Sequence, residues 1–294
     1  MKKTALVLLS ALLSAPTFAA DVVNIYSFRQ PFLIQPILDD FTKQTGIKTN
    51  VVFAKKGLIE RVKREGKHSK ADLVLTSNFS ALIQLEDLGL TQSINSDVVN
   101  ANVPSTFRDA DGQWIALTKR VRNVYSAKER VGALAELTYE DLADPKYKGK
   151  ICTRSGKHPY NLGLVASMVA HHGEAKTKQW LEGVKANLAR KPQGNDRAQV
   201  KAVKEGLCDL ALGNSYYFGK MMQDEQQKSW AEAVYINFPN QTNRGSHINV
   251  SGVVMTRYAK NPENALKLVE YMTDNKAQNM YASVNMEYPV KQGV

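Results

Sequence analysis

Between Val22 and Thr76 the sequence switches back and forth between two periodicities, and only one kind of sheet accommodates the result. Residues 22–26 form a short apolar run of strand length. Phe32, Ile34, Ile37, Leu38 and Phe41 then recur near the helical period as far as Gly46, a residue that ends helices because it adopts a left-handed backbone without steric cost. A second strand at 49–53, a second helix from Leu58 to Gly66 and a third strand at 72–76 complete the series. Strand, helix and strand at this spacing make βαβ units and therefore a parallel sheet. Ligands of such sheets sit beyond the carboxyl ends of the strands, which marks residues 27–30 and 76–78 as candidate site loops.

The alternation breaks near residues 114–126, where strand-like pieces at 114–117 and 121–125 are joined by Thr118-Lys119-Arg120. A second α/β pattern starts at Lys150-Ile151-Cys152. It continues with helices at 162–171, ending near Gly173, and at 198–204, and reaches an apolar strand at 208–212. A last strand at 249–256 precedes a helix that Asn261-Pro262 starts and that carries Ala265, Leu266, Leu268, Val269 and Met272 on one side. A chain this long fits two domains. The expected fold is α/β, two-lobed, with mixed sheets and a ligand cleft between the lobes. Lobe 1 is expected to hold residues 20–118 and 253–294 and lobe 2 residues 119–252, with hinge strands near 117–125 and 248–256.

The first residues read as an export leader. Lys2 and Lys3 precede an apolar stretch from Ala5 to Leu13 and a small-residue cleavage site at Pro16-Thr17-Phe18-Ala19, so residues 1–19 are a signal peptide, too short to span a membrane. No lipid-attachment cysteine follows, so a soluble mature protein is expected. The formal charge of +11 raises the question of an anionic partner. The lysines are dispersed, however, without a long basic run or a basic-aromatic stripe, and an exported chain is a poor candidate for nucleic acid. A solvated basic surface and attraction of a small anion both stay open. Cys152 and Cys208 are the only cysteines. An even count in an exported protein points to a disulfide, and without further thiols a soft metal site is the weaker alternative.

For enzyme chemistry the sequence offers little. It has no G-x-S-x-G or S-x-x-K nucleophile with partners and no H-E-x-x-H. His171-His172 sits at a predicted helix end, where histidines answer the helix dipole, and His68, His158 and His247 are isolated. Tyrosine is more informative. Tyr216 and Tyr217 stand together at the carboxyl end of the strand at 208–212, and Tyr160 opens the helix after Lys157-His158-Pro159. A disulfide between Cys152 and Cys208 would bring both sites to one end of one sheet. Three phenols lining a strand edge is the plain alternative. Three phenolates would instead be hard oxygen ligands, and because a free phenol ionises only near pH 10, they call for a strongly Lewis-acidic cation such as Fe(III).

The order of elements in an exported chain without a nucleophile elbow points to a periplasmic solute-binding protein. Over nearly the whole mature length the sequence also resembles the ferric-iron-binding proteins of bacterial iron ABC transporters, of the type II periplasmic-binding-protein fold. The carriers are Tyr26-Ser27-Phe28-Arg29-Gln30, residues 117–122 (LTKRVR), 154–161 (RSGKHPYN), 192–196 (PQGND), 213–217 (GNSYY), 238–241 (FPNQ) and 245–252 (GSHINVSG). By that resemblance Tyr160, Tyr216 and Tyr217 occupy iron-ligand positions, and Arg120 matches an arginine that holds a synergistic anion, often carbonate. Many relatives carry a His-Tyr pair after the first strand where this chain has Gln30-Pro31. The resemblance therefore implies an outside anion, held by Arg120 and Gln30 with Lys157 assisting, and Arg29 in a structural role. Asn195 or Asp196 reads as a helix cap. Relatives continue beyond residues 288–290, whereas this sequence stops at Val294. A truncated or unusually short member is expected, with consequences for stability rather than for the metal site. The implied function is a monomeric periplasmic component that hands Fe(III) to an inner-membrane ABC permease and its ATPase, without nucleic acid and without enzymatic activity. The rival is a binder of an anion or small organic solute, and a third reading, an exported hydrolase, has no nucleophile-base pair to carry it.

Overall fold

The computed structural model describes residues 21–294, so the leader with its Ala19 cleavage site lies outside the described residues. In chain order the first elements are β1 (Val22–Ser27), α1 (Pro31–Thr45), β2 (Lys48–Phe53), α2 (Leu58–Glu65), β3 (Leu73–Thr76), α3 (Phe79–Asp87), β4 (Thr91–Gln92) and α4 (Asp97–Asn102). The middle holds β5 (Ile115–Ala127), β6 (Ile151–Cys152), α5 (Pro159–Ala186), α6 (Asp196–Lys204), β7 (Leu210–Asn214), α7 (Tyr216–Met222), α8 (Lys228–Glu232) and β8 (Val234–Asn237). The chain closes with β9 (Ile248–Thr256), α9 (Pro262–Thr273), α10 (Asn275–Asn285) and β10 (Tyr288–Pro289). The sheet is mixed, in the order β2-β1-β3-β9-β5-β7-β6. β1 runs parallel to β2 and β3, as the alternation requires, while β9 runs antiparallel to both β3 and β5.

The two pieces expected at 114–117 and 121–125 are one strand. β5 runs 13 residues without a break, with a register shift between Ala116 and Thr118. Its first half pairs with β9 and β10, its second half with β7 and β8. Thr118-Lys119-Arg120 looked like a joint because it is polar, but Thr118 and Arg120 are buried polar residues of a strand crossing between two cores.

Packing follows the crossing. One core draws on residues from Val23 to Leu117 and again from Val250 to Val290. Two others lie against the second half of β5 and divide by strand alternation: Val124, Leu210 and Leu212 enter one, Tyr125 and Ala211 the other. A sheet covered on both faces needs continuous apolar runs, which is why these strands were easy to read. Cys152 and Cys208 form a disulfide with Cα atoms 5.9 Å apart, tying β6 to the entry of β7. The chain-entropy model gives about 4 kcal/mol for a loop of this length. The helix expected to stop near Gly173 does lose helical geometry there (φ 75°, ψ 168°), and a second helical stretch follows directly. Among the described residues no helix is long and apolar enough to cross a membrane.

Candidate metal centre

Tyr160 lies on the first turn of α5. The turn is set by Pro159 at the first helical position and by His158, whose Nδ1 accepts from the Tyr160 amide at 3.2 Å. Tyr216 and Tyr217 do not end a strand, as expected, but open α7. β7 stops at Asn214, and Ser215 turns the chain while bonded both ways to Val121 of β5: its amide donates to the Val121 carbonyl at 3.0 Å and its Oγ accepts from the Val121 amide at 3.1 Å. The difference is one of local reach. An apolar run followed by aromatics cannot announce that the next residue is held by a partner strand.

All three phenols line one cavity of about 370 Å³, together with Phe28, Arg29, Gln30, Ser77, Arg120 and Ser251. The Tyr160 and Tyr216 hydroxyls are 3.2 Å apart, and the rings of Tyr216 and Tyr217 stack with centroids 4.2 Å apart. Burial pushes the Tyr216 phenol well above its usual pKa, with Tyr160 and then Tyr217 adding to the rise. Burial raises Tyr217 as well, and Tyr160 again adds to it. These groups stay protonated until a cation strong enough to displace their protons arrives.

Arg120 is buried on β5. It donates to Ser251 Oγ at 3.0 Å and to the Ser77 carbonyl, and its guanidinium carbon is 5.7 Å from the centroid of the Tyr160 ring. Its Nε has no protein partner among the described residues. Gln30 caps the start of α1 by position only. Its side chain makes no capping bond and lines the cavity. Lys157 is not brought in: it lies on the exposed turn before α5, apart from the cavity lining. Asn195 caps α6 by accepting from the Ala198 amide at 3.0 Å.

Arg197, Lys220 and Glu287 of the cavity went unread in the sequence, whereas Arg29 was read as structural. Arg29 pairs with Glu287 at 2.9 Å, and Glu287 also accepts from Thr118 Oγ1 at 2.7 Å. Burial opposes ionisation of Glu287, but Arg29 and then Arg120 outweigh it and hold the carboxyl below its usual range. Arg197 and Lys220 add two more cations to the lining. Nothing near Glu287 in sequence marks it, because its partner is 258 residues away. Four cationic side chains against one carboxylate make this an anion-attracting cavity. Among the described residues no group of three or more His, Cys, Asp or Glu side chains is arranged to hold a metal, so the hard donors lining the cavity are the three phenols and the Arg29-paired carboxylate of Glu287.

Residues 68–294 match the family described as bacterial extracellular solute-binding protein. The chain belongs to that family. This solute-binding protein is 43% identical over 275 residues to iron uptake protein A1 of Synechocystis sp., an alignment covering 92% of this chain and 76% of that one. Among solved structures, it is similar to the apo ferric ion-binding protein A of Pasteurella haemolytica, with 55% identity and a TM-score of 0.87 over 94% of this chain and 86% of that one. It is also similar to a Trichodesmium protein solved with iron and citrate, with 39% identity and a TM-score of 0.87 over 93% and 87% of the two chains. The fold of this solute-binding protein is thus the two-lobed type II arrangement, and its relatives are transport proteins rather than enzymes.

Proposed function

We propose that this protein is the periplasmic Fe(III)-binding component of an ABC importer, with Tyr160, Tyr216 and Tyr217 as the metal ligands. The observation that carries the proposal is the convergence of three phenols on one cavity beside the buried Arg120 guanidinium. Three phenolates neutralise a trivalent ion, and the surplus of cations around them favours an anion in the remaining coordination positions. We assign that anion to Arg120 and Gln30 and identify it as carbonate. Lys157 would approach it only if its turn moved inward.

The lobes are assigned to residues 20–118 with 253–294 and to 119–252, in keeping with the division of the hydrophobic cores. β5, which joins the cores, and β9, paired with its first half, are assigned as the hinge strands about which closure traps the ion. Iron is then delivered by the monomeric protein to a membrane permease driven by its ATPase, and no nucleic acid takes part. Titration of the purified protein with ferric salt and bicarbonate tests the assignment. A visible tyrosinate charge-transfer band is expected; its absence, with Tyr217→Phe binding as well as the parent, overturns it.

A further inference from the structure

The four consecutive residues from Val284 to Glu287 touch three different parts of the molecule, one of them twice. The Val284 carbonyl accepts from Lys220 Nζ of α7. Asn285 Nδ2 donates to the Leu33 carbonyl of α1 at 3.0 Å. Met286 adopts a left-handed backbone (φ 57°), one of two non-glycine residues with positive φ among those described. Its side chain lies against Gly219 of α7, where a Cβ would stand 2.8 Å from both Cγ and Sδ of Met286 and 3.0 Å from its Cβ. Glu287 turns into the cavity onto Arg29, and the next two residues pair with Lys119 and Thr118 of β5.

These contacts join elements of different cores. α10 and Val290 belong to the core that contains α1, while Met221 of α7 belongs to a core of the second half of β5. α7 also carries Tyr216 and Tyr217 on its first turn. We propose that residues 284–287 are a clasp by which the first lobe grips the tyrosine helix, and that Gly219 is the position that lets the clasp close. Both Cγ and Sδ of Met286 stand under 3.0 Å from where a Cβ on Gly219 would be, so the methionine side chain must leave its place on α7 to admit one. A residue with a Cβ at 219 forces it off α7. This rests on the ferric assignment only for its kinetic readout.

The test is a double-mutant cycle of Gly219→Ala and Met286→Ala. Alanine is a better helix former than glycine, which offsets part of the overpacking, so the thermal midpoint of the iron-free Gly219→Ala protein is expected to fall by no more than about a few degrees. Iron release to a competing chelator is nevertheless expected to quicken roughly tenfold, the scale of one overpacked methyl group. The wavelength of the tyrosinate band stays put, because no ligand is altered. In the Met286→Ala background, Gly219→Ala has no further effect. Equal release rates in Gly219→Ala and the parent, or the same acceleration with and without Met286, would overturn the clasp. If the parent gives no tyrosinate band, the metal assignment fails and spin labels at the exposed positions Lys56→Cys and Lys178→Cys decide the clasp. Gly219→Ala must then broaden their distance distribution, and an unchanged distribution overturns the proposal.

Discussion

The hydroxyl of Tyr160 meets the hydroxyl of Tyr216 at 3.2 Å across 56 residues of sequence. Each sits on the first turn of its helix, and the strands leading to those helices, β6 and β7, are parallel neighbours fastened by the Cys152–Cys208 disulfide. The spacing of the two hydroxyls is therefore set by neighbouring strands of one sheet. Replacing either tyrosine with phenylalanine keeps the ring and removes only the donor oxygen. Tyr216→Phe is expected to weaken ferric binding at least a hundredfold, beyond the roughly 10–100-fold cost of losing an outer-shell contact. Chelator competition measures it, together with loss of intensity in the charge-transfer band. A variant within threefold of the parent would contradict ligation by Tyr216.

Iron affinity should fall steeply with acid. Burial raises the Tyr216 and Tyr217 phenols above their usual range, so both are protonated in the metal-free protein at neutral pH. Binding must release those protons, and acid drives the exchange backwards. Up to about three protons per ion are expected from three phenols, giving a logarithmic affinity that climbs with pH by as much as about three per unit. Proton release on ferric addition, followed in weak buffer, checks the count. Release of fewer than one proton per ion would exclude a phenolate site.

Much of the architecture was open to reading because β3 and β7 are buried throughout and β1 mostly so, leaving largely apolar runs between helical periods. The tyrosines were legible by type and by family pattern. What escaped was set by distant partners. β5 looked like two strands because Thr118 and Arg120 are polar, yet they are polar for the cavity's sake. Glu287 lies between a methionine and a tyrosine, and its meaning comes wholly from Arg29, on the far side of the sequence. The turn at Ser215 depends on two hydrogen bonds to Val121 that no local pattern encodes.

Beneath the tyrosines lies a fully buried ion pair. Arg122 Nη1 donates to Asp196 Oδ2 at 2.7 Å and to Asn214 Oδ1 at 3.1 Å, and its Nη2 donates to Asn161 Oδ1 at 2.7 Å. Asn161 and Asn214 adjoin Tyr160 and the Ser215 turn, so the pair braces both tyrosine-bearing helices. Asp196→Asn leaves Arg122 buried without a counter-charge, a loss of about 3–5 kcal/mol. Urea denaturation should show that loss. Replacing both partners with apolar residues of similar volume is expected to recover most of the stability while misplacing the phenols, visible as weaker iron binding. A small effect of Asp196→Asn would mean that the pair is hydrated in solution.

His247 gives a separate acid-dependent effect at the entry to β9. It precedes β9, its amide donates to the Tyr139 hydroxyl at 3.1 Å, and its carbonyl accepts from the Arg122 amide at 2.9 Å. Burial, with Arg122 and Arg120 adding, holds the imidazole down to about 4 from an ordinary 6.5. Between those values the unfolded chain binds a proton that the folded protein refuses. Stability therefore falls as pH drops from about 6.5 towards about 4 and levels off below, by about 3 kcal/mol in all. His247→Gln should remove that part of the acid limb, so that the urea midpoints of parent and variant converge or cross as pH falls from 7 to 4.5. Parallel curves over that window would show that His247 is hydrated and does not sense acid.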